Sequence, residues 1–141
     1  MLKTAELNKN IIPVKKGLSY KTLTQKIFLN TESNSAGDSL MDKSASESFQ
    51  KDYSTVETTT IDDFVKENGL KRVDFIKADI EGFERNMLKG AQETLKNFAP
   101  KLALCTYHLP DDPEVLAGLI KQANPKYNIV QRKMKLFASV N

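Results

Sequence analysis

From residue 58 onward, apolar runs of strand length alternate with stretches whose apolar residues recur every three or four positions, and few folds satisfy that alternation. VDFIKA (73–78) and KLALCTYH (101–108) are the two clearest strands. Between them Phe83, Met87, Leu88, Ala91, Leu95 and Phe98 share one face of a helix predicted over 83–97, which Pro100 ends. Upstream, Thr60 followed by Asp63 reads as a capping-box-like start and Asn68-Gly69 as a stop, which predicts a helix over 61–68. Downstream, Asp112 reads as an N-cap with Pro113 at the first helical position. Val115, Leu116, Leu119, Ile120 and Ala123 are the apolar stripe of a helix over 113–123, stopped by Asn124-Pro125. YNIVQ and KLFASV flank Arg132-Lys133 as a closing antiparallel pair. Strands alternating with helices in this way predict right-handed crossovers and a largely parallel sheet, with KLALCTYH buried on both faces.

The first third of the chain has another character. IIPV (11–14) and KIFL (26–29) are strand-like runs on either side of Gly17. Residues 30–54 are mostly Ser, Asn, Asp and Glu without apolar periodicity, a composition that cannot bury a core and reads as a long surface loop or a mobile segment. The whole chain of 141 residues is the size of one domain. A net charge of +3, from 21 basic and 18 acidic residues, is too small to direct the chain to nucleic acid or to an anionic membrane. The single cysteine, Cys105, excludes an intramolecular disulfide and reads as a small buried thiol. MLKTAELNKN has no apolar h-region and no run of eighteen apolar residues occurs, so a soluble cytoplasmic chain without a membrane span is expected.

The stretch FIKADIEGFERNMLKG (75–90) sets carboxylates against the end of a buried run. In open α/β sheets ligands bind outside the carboxyl ends of the strands, and Asp79 lies one step past such an end. Gly82 lets the chain bend into the following helix, and Glu84 falls where a helix dipole favours an acid. Asp79 is therefore either a ligand-facing carboxylate or a helix cap. His108, the only histidine, falls at the end of the neighbouring strand, either as a general base beside Asp79 or as a histidine satisfied in its loop. An Asp–His metal pair needs further ligands; Asp111 and Asp112 are the nearby carboxylates, and no metal ligand set is assigned.

VDFIKADIEGFERNMLKGA, APKLALCTYHLPDDPEVLAGLI and NPKYNIVQRKMKLFA together resemble the C-terminal half of the FkbM-type S-adenosylmethionine-dependent methyltransferases. The family's D-x-E-G-x-E pattern is matched by Asp79, Glu81, Gly82 and Glu84, and its continuation by Leu88-Lys89-Gly90-Ala91 and Pro100-Lys101-Leu102. TTTIDDFV (58–65) is similar to the family's threonine-rich lead into a helix, and NIIPVKKGLS (10–19) to its third strand. The resemblance implies a Rossmann-like class I methyltransferase sheet and methyl transfer to a hydroxyl of a sugar, lipid or secondary metabolite. It makes Asp79, His108 and Glu81 the catalytic candidates, and Gly17, Leu18 and Asp79 the candidates for holding S-adenosylmethionine.

The chain also departs from the family pattern. Its six glycines, at 17, 37, 69, 82, 90 and 118, form no G-x-G, so the glycine-rich cofactor turn and the first two strands are missing. The expectation is a single truncated domain over 1–141, best defined over 58–140. Its strand at 73–78 would then be an unpaired edge, and 11–29 would fold back as a hairpin or pair with another chain. Two functional readings follow: a methyltransferase acting on a small-molecule or glycan acceptor, or a non-catalytic fragment or partner subunit. The second would be completed in trans by a chain carrying the glycine-rich half, or would associate with itself through the open sheet edge.

Overall fold

The computed structural model describes residues 9–28 and 53–141. Among them lie seven strands and four helices, in the order β1 (Gly17–Leu18), β2 (Leu23–Phe28), β3 (Tyr53–Thr59), α1 (Ile61–Glu67), β4 (Phe75–Ala78), α2 (Glu84–Lys89), α3 (Gln92–Asn97), β5 (Lys101–Cys105), α4 (Asp112–Ala123), β6 (Asn128–Arg132) and β7 (Lys135–Ser139).

The strands make two sheets, ordered β1-β3-β2 and β4-β5-β7-β6. β1 pairs parallel with β3, and β4 with β5; β2–β3, β5–β7 and β6–β7 are antiparallel. The sheet is thus mixed, not largely parallel as the alternation predicts. Only β4 and β5 are joined by a helical crossover within one sheet. The closing antiparallel pair is present as predicted, turning at Lys133 with Arg132 opposite Lys135.

The N-terminal region differs most from expectation. Residues 11–14 belong to no strand, and Ile12 is 84% exposed. Pro13 offers no N–H to a ladder, which suits an unpaired segment. β2 extends the KIFL run upstream, and its partner is β3, not a strand within 11–29. β3 is a strand that the apolar pattern misses, because YSTVETT carries threonine where a core strand would carry valine. Thr58 is buried, and its hydroxyl donates to Leu23 O (2.8 Å), so a polar side chain closes this small sheet. Of the segment predicted as a loop, 53–54 lie in β3 and 30–52 lie outside the described residues.

The core follows the register of the larger sheet. Leu102 stands opposite Ala138 and Leu104 opposite Leu136, all buried, and α2 and α3 pack on α4 over that face. The opposite face carries Phe137 and Val130, both exposed, with Ala103 of β5 half-buried beside Phe137 and Cys105 buried, so β5 is fully covered on one side and only in part on the other. The helix predicted over 83–97 is two helices, α2 and α3, broken at Gly90-Ala91. Gly90 O accepts from Asp62 N of α1 (2.9 Å), and the Asp62 carboxylate caps α3 from outside, taking Glu93 N (3.0 Å) and Thr94 N (2.8 Å). A cap supplied thirty residues away leaves no trace in local periodicity. α1 itself begins as predicted, with Thr60 Oγ1 accepting from Asp63 N at 2.8 Å.

Tyr127 is fully buried and donates its hydroxyl to Pro100 O (2.7 Å), fastening the end of α4 to the start of β5. Burial pushes its phenol up to about 12. A group whose folded value exceeds its unfolded value near 10 stabilises the fold fully below pH 10, and that contribution is lost as pH rises through about 12. Absorbance titration of tyrosinate is expected to show Tyr127 ionising only in that upper window, where Tyr127→Phe lowers the absorbance change by one phenol. Ionisation of this residue near pH 10 would contradict the buried placement.

Candidate active site

β4 ends at Ala78, and the chain then turns through Asp79–Phe83 into α2. Glu81 and Gly82 both have positive φ (57° and 93°), a conformation that glycine adopts without strain. The turn is held from inside. Glu84, fully buried, accepts from Ile80 N through Oε1 (2.7 Å) and from Gly82 N through Oε2 (3.0 Å). Glu84 is thus a two-pronged backbone clamp, a stronger role than the dipole partner its position suggested.

β5 ends at Cys105, earlier than the run to 108 implied, because the chain leaves the sheet ahead of Pro110. The loop 106–111 carries Tyr107 and His108 to the rim where β4 ends. Arg85 of α2 holds the far side of this loop: its Nε donates to Asp112 Oδ1 (2.8 Å) and its Nη2 to Asp111 Oδ1 (2.6 Å). Asp112 is buried and also accepts from Leu109 N (2.8 Å), so it lies inside α4 and ties the loop down; it is not the N-cap that Asp-Pro suggested. Arg85 in turn holds the Asp111 carboxyl below its ordinary value.

Three of the sequence candidates meet at this rim. Tyr107 Oη donates to Asp79 Oδ1 (3.0 Å), and His108 Nε2 lies 3.3 Å from the same oxygen. His108 Nδ1 is 3.8 Å from Glu81 Oε2, and its Nε2 is 3.6 Å from Glu84 Oε1. The imidazole is 6% exposed while the Asp79 side chain is 41% exposed, so the carboxylate is the part that solvent or a ligand can reach. Burial is the largest single influence on Asp79 and pushes its carboxyl up. The hydrogen bonds from Tyr107, Cys105 and His108 together outweigh it and leave the carboxyl below the ordinary range. The same bond pushes the Tyr107 phenol up to about 12. Burial, followed by Asp79, raises the Cys105 thiol, which keeps it protonated and unsuited to nucleophilic work.

Gly17 and Leu18 are not part of this cluster. They form β1, and Leu18 lines a separate groove of about 460 Å³ with Ile12, Val14, Phe64, Phe75 and Ile76. The groove runs along the edge of β4, which has no strand neighbour there among the described residues, and its described lining contains two lysines, Lys16 and Lys77, but no acidic residue. Asp111 and Asp112, the carboxylates near His108 in sequence, are engaged by Arg85, and the third group brought to the rim is Glu81. Sequence reasoning missed Tyr107. Strict strand alternation would have sent it to the face opposite His108, and the leucine-proline pair just beyond was the sign that the strand had already ended.

In this α/β fold the Asp79 carboxylate, supported by a phenol and an imidazole, stands outside the carboxyl end of the edge strand β4, the side of an open sheet where ligands bind. The sequence model of the methyltransferase FkbM domain matches residues 3–127, and the chain belongs to that family. The crystal structure of methyltransferase FkbM from Methylobacillus flagellatus KT is similar, with a TM-score of 0.60 and 22% sequence identity over 98% of this chain and 31% of that one. This chain therefore spans under a third of that protein's length. No curated protein matches it. Among the described residues no helix is long and apolar enough to cross a membrane.

Proposed function

We propose that this chain provides the acceptor side of an S-adenosylmethionine-dependent O-methyltransferase acting on a hydroxyl of a small molecule or glycan, such as a sugar, lipid or secondary metabolite. The observation that carries the reading is the Asp79 carboxylate, half-exposed at the end of β4 and kept ionised by Tyr107 and His108. An ionised carboxylate accepts the hydrogen bond of an approaching hydroxyl, fixes the direction of its lone pair, and takes up its proton as the oxygen becomes a nucleophile. Tyr107 and His108 hold Asp79 in place, and His108 is the second candidate base. Glu81 borders the same opening. The cofactor supplies the electrophilic methyl.

The described residues fit that cofactor only in part. The apolar groove beside Leu18, Phe75 and Ile76 suits an aromatic base, whereas it offers no carboxylate for ribose hydroxyls. We propose that Gly17 and Leu18 belong to that base-binding side of a partial Rossmann-like sheet. With its one cysteine free and buried, the chain suits a reducing compartment such as the cytoplasm.

A second reading has its own support. β4 is an edge strand with Phe75 57% exposed beside the open groove, the kind of edge that accepts a further strand. In that reading the chain is a non-catalytic fragment or a subunit completed in trans by a chain bearing the glycine-rich half, or by a second copy. Calorimetric titration with S-adenosylmethionine and S-adenosylhomocysteine separates the two. Self-sufficiency requires micromolar binding, about −7 to −8 kcal/mol. Methyl transfer should then fall by about a hundredfold or more in Asp79→Ala. No heat at millimolar ligand overturns the first reading for the chain alone and leaves the second.

A further inference from the structure

We propose that Asp79, Glu81 and His108 form a binding site for a divalent transition-metal cation, of the Mn²⁺ or Zn²⁺ type. One carboxylate oxygen from Asp79, one from Glu81 and one ring nitrogen of His108 lie within 4.8 Å of one another. Donors around such an ion sit at about 2.0–2.2 Å from it, and therefore roughly 3 to 4 Å apart, so small side-chain rotations close the set.

The cluster is not simply an acidic patch on the surface. A nearly buried imidazole faces three carboxylates, those of Asp79, Glu81 and Glu84, at 3.3, 3.8 and 3.6 Å. Even a protonated imidazole offsets only one of the two charges on Asp79 and Glu84, and among the described residues no lysine or arginine pairs with either. Arg85, the nearest guanidinium in sequence, is spent on Asp111 and Asp112. The donors are also positioned by contacts other than their own: Glu84 clamps the turn that carries Asp79 and Glu81, and the Arg85–Asp112 pair fixes the loop that carries His108. Tyr107 adds a hydrogen bond to Asp79, the outer support that metal-binding carboxylates commonly receive.

The donor chemistry selects the ion. Two carboxylates and an imidazole suit the borderline transition metals better than Mg²⁺ or Ca²⁺, which favour oxygen throughout. Three protein donors on a rim open at Asp79 leave coordination positions for water or a substrate oxygen, the arrangement of catalytic metal sites and not of closed structural ones. The role of the ion rests on the methyl-transfer reading: it would bind the acceptor oxygen, lower the pKa of its hydroxyl and let the proton leave to solvent. Asp79 would then act on the hydroxyl through the ion.

The test is titration of the EDTA-treated full chain with Mn²⁺, followed by electron paramagnetic resonance, and with Zn²⁺ and Mg²⁺, followed by calorimetry. The expected result is one Mn²⁺ or Zn²⁺ per chain with micromolar affinity, weakened at least tenfold in Glu81→Gln and in His108→Gln. Asp74→Asn, on an exposed loop with Arg72, should change nothing. Glu81 is surface-accessible, so its variant remains informative if the His108 variant folds poorly. No one-to-one binding at millimolar Mn²⁺ or Zn²⁺ overturns the site, as does binding that both variants leave untouched. Binding of Mg²⁺ alone overturns the imidazole as a donor. Titration of the same metal-free sample with S-adenosylhomocysteine keeps the two proposals apart. Binding of S-adenosylhomocysteine without metal binding sinks this inference alone, and metal binding without it sinks the reading of a self-sufficient methyltransferase alone.

Discussion

Glu84→Ala is expected to lower the melting temperature by about 10 °C. Two backbone N–H groups, of Ile80 and Gly82, rely on this one carboxylate, at 2.7 and 3.0 Å, in a place with no exposed surface. A hydrogen bond to a charged acceptor contributes about 1.5–3 kcal/mol, and a buried donor left without a partner costs a similar amount. Relief from burying the charge offsets part of the loss, so a net cost of about 3 kcal/mol follows, and a chain of this size melts about 3 °C lower for each. Glu84→Gln keeps one acceptor oxygen but turns an N–H donor toward the second amide, and is expected to recover less than half of the loss. Glu81 and Gly82 should also relax from their positive φ values once the clamp is gone, which would carry Asp79 away from Tyr107 and His108. Thermal unfolding by circular dichroism, with metal and cofactor titrations on the same variants, measures both effects. An alanine variant melting within about 2 °C of the parent would mean that the turn holds itself and that Glu84 is not its clamp.

The rim was readable from sequence because its information is local. Asp79 follows its strand directly, and the turn Asp79–Gly82 with Glu84 behind it is contained in six residues. The helix at 61 and the closing pair around Lys133 were readable for the same reason, and the helix at 112 was readable from its apolar stripe and its stop at Asn124, although its N-cap is Asp111 and not Asp112. What was lost depends on contacts between distant residues. The break at Gly90 is made by Asp62, the threonines of β3 are buried by a sheet that joins 17–28 to 53–59, and Tyr107 reaches Asp79 only because the loop after β5 is anchored by Arg85. The same residues explain why the expected parallel sheet is mixed: β5 takes β7 as an antiparallel neighbour, so the one parallel pair in that sheet is the one beside the candidate site.

Gly90→Ala is expected to destabilise the chain by about 3 kcal/mol, whereas Gly118→Ala should stabilise it by somewhat less than about 1 kcal/mol. Gly90 has an ordinary backbone conformation, φ −89°, so alanine meets no torsional penalty there and would gain from a less free unfolded chain. The steric situation reverses the sign. A Cβ at this position would lie 2.2 Å from Ser19 O and 3.0 Å from Thr60 Cβ. The first is a backbone oxygen beside the Ser19 N to Thr59 O bond (3.0 Å), so it cannot turn aside as a flexible side chain would. Accommodation requires α2 to move away from the small sheet, which breaks the Asp62 N to Gly90 O bond (2.9 Å) and with it the placement of Asp62 over α3. Gly118, by contrast, lies in α4 on an exposed face, where an added methyl would meet nothing within 4 Å, and alanine is simply the better helix former there. Denaturant unfolding gives both energies, and hydrogen exchange adds the location: amides of Ser19 and Asp62 should lose protection in the Gly90 variant and keep it in the Gly118 variant. If the two alanines prove equally neutral, β1 and α2 are not in the close contact described, and the N-terminal sheet is not anchored at the junction that leads into the candidate site.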